Sequence, residues 1–98
     1  MARFDVYLTG SGDYLLDIQT DLIPTLGTRL VVPLMPVGAV PTAIGKLHPT
    51  FDVDGRGLVM ATHLMGAVPQ RRLGRVVARL WDRYDEIVAA VDMIFLGF

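Results

Sequence analysis

The chain has 98 residues, no cysteine, and Lys+Arg 9 against Asp+Glu 10, for a formal net charge of −1. That length is a single domain, residues 1–98, and the charge balance supplies no overall field for nucleic acid or an anionic membrane. Without cysteine there is no disulfide, thiol nucleophile or thiolate zinc site, which fits a reducing cytoplasm; a hydrophobic content of 52% and mean hydropathy of +0.46 imply apolar surface buried against a partner as well as inside.

The first ten residues, "MARFDVYLTG", contain Asp5 and no continuous apolar run, so they do not read as a signal peptide. "RFDVYL" alternates, with Phe4, Val6 and Leu8 on one face and Arg3, Asp5 and Tyr7 on the other, the period of a half-buried strand. "TGSGD", Thr9 to Asp13, is a turn, and "YLLDIQ" returns to make a hairpin. "RLVVPL", Arg29 to Leu34, predicts a third strand. Pro33 has no ladder donor, so it is expected at an edge or at the strand end.

From Pro24 to Pro49 the chain is broken by Gly27, Pro33, Pro36, Gly38, Pro41 and Gly45, which leaves no room for a long helix. A short connection is expected there, packed on the sheet by Leu34, Met35, Val37, Val40 and Ile44. "TFDVDGRGLVMAT" reads as a second hairpin, turning at "DGRG", and "VPQRRL" as one more strand.

Only the last stretch is helical by pattern. Tyr84, Ile87, Val88, Val91, Ile94, Phe95 and Phe98 recur at steps of three or four and share a face. Asp82, Asp85 and Glu86 lie near the start, where the macrodipole favours negative charge. Ala89, Ala90, Met93 and Leu96 make the opposite face apolar too, so a partner is implied. The greasy run Ile87 to Phe98 includes Asp92 and falls short of the roughly 20 residues of a membrane span.

Polar groups for catalysis are sparse. His48 and His63 lie fifteen apart without metal-ligand spacing and read as two partly exposed loop or sheet histidines. Arg71, Arg72, Arg75, Arg79 and Arg83 would form a basic stripe if helical. Gly74 and Pro69 argue against that, and a solvated face paired to Asp82, Asp85 and Glu86 is the plainer reading. Trp81 is expected in the core. No cofactor, metal or catalytic residue is indicated.

The run "DIQTDLIPTLGTRLVVPL", Asp17 to Leu34, resembles the CcdB family of bacterial toxins in its Asp17-Ile18-Gln19-Thr20-Asp21-Leu22-Ile23 string followed by Gly27, Arg29, Val31, Val32, Pro33 and Leu34. "FDVY", "AVP" at Ala67–Pro69 and the ending "MIFLGF" are similar to further stretches of the family, so the resemblance covers nearly the whole chain. It implies a mostly β (α+β) fold, a small antiparallel SH3-like barrel or sheet with a C-terminal helix, shared with MazF-like toxins. It also implies the toxin of a toxin–antitoxin module, cytoplasmic, working as a homodimer. Such a toxin would inhibit DNA gyrase by binding its A subunit and trapping the cleaved-DNA complex, by binding rather than enzymatic turnover. A cognate CcdA-like antitoxin would fold along its surface. Carried over by position, the implied target contacts are Asp92, Leu96, Gly97 and Phe98 at the helix end and, after them, Leu22 and Ile23, the aliphatic pair that follows Asp21. The family ending carries Trp where this chain has Leu96, which offers less contact area and no indole donor. Two alternatives stay open: a MazF-like endoribonuclease using the arginines on RNA, and a non-toxic dimeric interaction module. Phe95 and Phe98 are equally suited to plugging a dimer interface.

Overall fold

The computed structural model describes residues 2–23, 26–40 and 44–98. Seven strands form one antiparallel sheet, curled into a half-barrel around a C-terminal helix. β1 (Asp5–Leu8) and β2 (Tyr14–Asp17) make the expected first hairpin, with Val6 opposite Leu16 and Leu8 opposite Tyr14. Its turn is closed by Gly12 at φ 89°, a conformation that glycine adopts without penalty. β3 (Thr28–Pro36) is the spine of the sheet. It pairs with β2 on one side and, on the other, first with β6 (Gly66–Pro69) and then with β5 (Arg56–Met60). β4 (Thr50–Val53) and β5 make the second expected hairpin. Asp54 (φ 53°) and Gly55 (φ 74°) form its two-residue turn, matching the preference of Asp-Gly for left-handed positions.

Three strand expectations need correction. The first strand begins at Asp5, not Arg3, because Phe4 sits at φ 70°. That is an unusual conformation for a bulky residue. It is held by bonds from the Phe4 amide to the Asp17 carbonyl (2.6 Å) and from the Leu80 amide to the Phe4 carbonyl (2.9 Å). The strand is also buried on both faces, Asp5 and Tyr7 as well as Val6. Pro33 lies inside the central strand rather than at an edge or end. β6 bonds to residues 28–31 and β5 to residues 34–36, so Pro33 falls where β3 changes partner. Its carbonyl takes the Ala61 amide (2.9 Å), which puts the missing N–H on that same side, away from β2. "VPQRRL" gives the end of β6 and then a 3-10 turn, Gln70–Arg72, instead of a full strand.

β7 (Arg75–Arg79) was not expected and completes the sheet by pairing with β1 through a bulge. Gly74 admits it: a Cβ there would lie 1.8 Å from the Leu8 carbonyl oxygen. In the connection after β3, Val40 is buried, but Val37 and Ile44 are exposed and pack little, because the chain turns back sharply at Gly38 (φ 98°). Pro24 and Pro41 lie outside the described residues.

The main core fills the concave face: Val6, Leu16, Val32, Leu34, Phe51, Val53, Leu58 and Met60 meet Ile87 and Ala90 of α1 (Tyr84–Leu96). A smaller cluster of Val40, Val59 and Ala61 lies on the other face. α1 follows a 3-10 turn at Trp81–Arg83 and ends at Gly97, φ 81°, whose amide bonds the Met93 carbonyl (3.0 Å), the left-handed helix stop. Its packing face differs from expectation. Ala90 is fully buried, while Ile94, Phe95 and Phe98 are exposed. The sheet offers core contacts only as far as Val91, and the last turn projects beyond it. Trp81, expected in the core, is half exposed; it stacks on Tyr84 (centroids 5.8 Å apart) and meets the Phe4 ring edge-on (5.0 Å).

Candidate functional site: a rigid loop base and a projecting helix tip

The loop that carries Leu22 and Ile23 is anchored by a buried ion pair. Arg29 Nε donates to Asp17 Oδ2 (2.7 Å) and Nη2 to Asp17 Oδ1 (2.9 Å), the two-pronged geometry a guanidinium makes with a carboxylate. Both side chains are sealed from solvent, at 1% and 0% exposure. Nη2 also reaches the Gln19 carbonyl (3.2 Å) and Asp21 (3.5 Å). The Gln19 side chain accepts the Leu30 amide (3.0 Å) and donates to the Ile23 carbonyl (3.3 Å), while Asp21 accepts the Arg3 amide (2.9 Å).

Burial pushes the Asp17 carboxyl above its ordinary range, against the pull of Arg29 and the Gln19 amide. The same bonds hold Arg29 firmly charged despite its burial. Burial and the charges of Asp17 and Asp5 push the neighbouring Tyr7 up to about 12. The polar residues of the loop thus build a frame, and what they present outward is Leu22, 88% exposed, with Ile23 beside it.

The second component is the helix tip. Leu96 is 60% and Phe98 75% exposed, and Gly97 lies between them in its left-handed conformation. Asp92 is exposed one turn earlier and borders a small cavity of about 100 Å3 lined by Arg3, Phe4, Ile18, Ile87, Val88 and Val91. That cavity relates the two components. Ile18 begins the loop that leads to Leu22, and Asp92 begins the tip. The structure therefore brings Asp92 and the base of the loop together, and sets Leu22, Ile23, Leu96, Gly97 and Phe98 outward from them.

The arginines do not form a helical stripe. Arg71 and Arg72 lie on a 3-10 turn, Arg75 and Arg79 on β7 and Arg83 at the helix entrance. Arg79 faces Asp5 (3.4 Å) and Arg83 grips Glu86. His48 and His63 are hydrogen-bonded to one another (2.9 Å), and His48 is buried rather than partly exposed. Spacing fifteen residues apart gave no hint of this contact. Among the described residues, no group of three or more His, Asp or Glu is arranged to hold a metal ion, and no helix is long and apolar enough to cross a membrane. Also missed from sequence is a cavity of about 370 Å3 between the two hairpin turns, bordered by Tyr14, Leu15, Pro33, Met35 and Arg56. Each turn was legible, but their convergence depends on β2 and β5 flanking β3.

The curled antiparallel sheet with its C-terminal helix defines the fold class of the small MazF- and CcdB-like toxins. The Mycobacterium tuberculosis toxin MazF-mt6 superimposes with a TM-score of 0.74 at 16% identity, over 93% of this chain and 95% of that one. An endoribonuclease in complex with its cognate antitoxin, from a mycobacterial species, gives 0.78 at 15% identity, over 100% and 98%. At such identities the likeness is one of fold. Sequence decides the family: the CcdB protein family model matches residues 3–97, and the chain belongs to the CcdB family.

Proposed function

We propose that this chain is the toxin of a toxin–antitoxin pair and that, as a homodimer, it inhibits DNA gyrase by binding the A subunit and trapping cleaved DNA. The observation that carries this reading is the exposed apolar tip at Phe95, Leu96 and Phe98, closing a chain that matches the CcdB family to residue 97. Exposed large apolar groups at a helix end gain free energy only when a partner covers them. Leu22 and Ile23, held out on the Asp17–Arg29 frame, supply a second contact. A CcdA-like antitoxin is the natural competitor for the same surface, and one of the structural neighbours is itself bound to an antitoxin.

A second reading, endoribonuclease, is favoured by the fold shared with proteins described as endoribonucleases. Purified protein separates them. Linearisation of supercoiled DNA that depends on gyrase supports the poison, and cleavage of total RNA at defined positions supports the nuclease. Neither result leaves a binding module. Analytical ultracentrifugation at micromolar concentration tests the dimer: a 10.8 kDa monomer overturns it.

A further inference from the structure

The segment from Ile44 to His48 is closed on itself by the His48 amide, which donates to the Ile44 carbonyl (2.7 Å), and the His48 ring links the start of that segment to His63 on the 3-10 turn at Thr62–Leu64. The Ile44 amide donates to His48 Nδ1 (2.8 Å), and His48 Nε2 lies 2.9 Å from His63 Nδ1, with the rings edge to face at 4.9 Å. A backbone N–H is only a donor, so His48 Nδ1 carries no proton and its hydrogen sits on Nε2. That hydrogen points at His63 Nδ1, which must also be bare, and His63 keeps its proton on Nε2. Every ring nitrogen is thereby assigned.

An added proton has nowhere to go without breaking one of these bonds. On His48 Nδ1 it faces the Ile44 N–H. On His63 Nδ1 it faces the His48 Nε2–H. Moving the shared hydrogen across to His63 requires a proton on His48 Nδ1, which again displaces Ile44. We propose that the His48–His63 pair is a proton-operated clasp: one proton taken up by the pair keeps the ring-to-ring bond, its charge resting toward the exposed His63, and releases the Ile44 amide from His48 Nδ1.

The surroundings leave the clasp uncompensated. Lys46 is the charged residue of the segment itself. α1, packed on the turn, carries Asp85, Glu86 and Asp92; Glu86, which borders the same shallow cavity as Lys46, is engaged by Arg83. β3, the other element on the turn, is uncharged from Leu30 to Pro36. Thr62 Oγ1 still donates to the Leu47 carbonyl (2.5 Å) and the His48 amide to the Ile44 carbonyl, so the change is confined to the Ile44 N–H. Burial, and then the nearby His63, hold the pKa of His48 below its ordinary value, consistent with a ring that resists the second proton until the solution supplies it.

Imidazole nitrogen NMR on the intact protein reads the assignment directly: both rings are expected as Nε2–H tautomers at neutral pH, and an Nδ1–H tautomer for His48 overturns the proposal. Amide exchange at Ile44, corrected for its intrinsic pH dependence, is expected to rise about tenfold as pH falls from about 7.5 to about 5.5. His48→Asn puts a non-titrating carbonyl oxygen near the place of Nδ1 and is expected to remove that rise. A flat profile in the unaltered protein, or the same rise in His48→Asn, overturns the clasp. The tautomers and the Ile44 profile, both read on the unaltered protein, test the proposal even if the variant fails to fold.

Discussion

At the scale of single residues, the polar string that opens the family resemblance is a frame rather than a contact surface. Asp17 and Arg29 have no water to fall back on, so losing one leaves the other charged and buried. Arg29→Ala is expected to cost about 3–5 kcal/mol in urea unfolding, and the double variant Asp17→Leu/Arg29→Leu less than the sum of its parts. Gly74 is a constraint of a different kind. A methyl group at that position would meet backbone, the Leu8 carbonyl, which has no rotamer to change. Gly74→Ala is therefore expected to cost at least about 2 kcal/mol and to loosen β7 from β1, visible as faster amide exchange at Tyr7 and Arg75. A substitution tolerated within about 0.5 kcal/mol would contradict the packing described.

At the scale of elements, both hairpins were legible because their turns state their geometry: Gly12 and the Asp54–Gly55 pair occupy the left-handed positions such turns require. β7 was not legible. Its arginines at 75 and 79 suggested a charged surface, and nothing local shows that Val76 and Ala78 pair with β1 while Gly74 slides under Leu8. Pro33 misled for a related reason: the rule that bars proline from central strands assumes one partner on each side throughout, and β3 changes partner there. Helix periodicity found α1 but not where its packing stops, since that depends on the reach of the sheet. The role proposed for the tip rests on resemblance, and the structure adds that Leu96 and Phe98 are exposed. Deleting Leu96, Gly97 and Phe98 is accordingly expected to change unfolding free energy by no more than about 1 kcal/mol, because the core closes at Ile87, Ala90 and Val91. Global unfolding of the deletion variant would make the tip structural.

At the scale of the whole molecule, the two proposals place different signals on different surfaces: a partner at the tip and loop, protons at the Ile44–His48 segment. His48 binds its proton less readily in the folded chain than the ordinary 6.5 of an exposed histidine, so the unfolded chain takes up the proton first as pH falls. The stability due to neutral His48 is then complete above about pH 6.5 and is lost as pH drops from there toward the lower folded value. Thermal unfolding across that window should show the decline in the unaltered protein and a shallower one in His48→Asn. The central claim concerns the tip, and titration of the gyrase A subunit with the intact protein and with the variant lacking Leu96–Phe98 tests it most directly. The account predicts saturable binding by the intact dimer and a loss of at least about tenfold in affinity for a truncated protein that still folds and still pairs. No binding by the intact protein, or equal affinity for both, would contradict it.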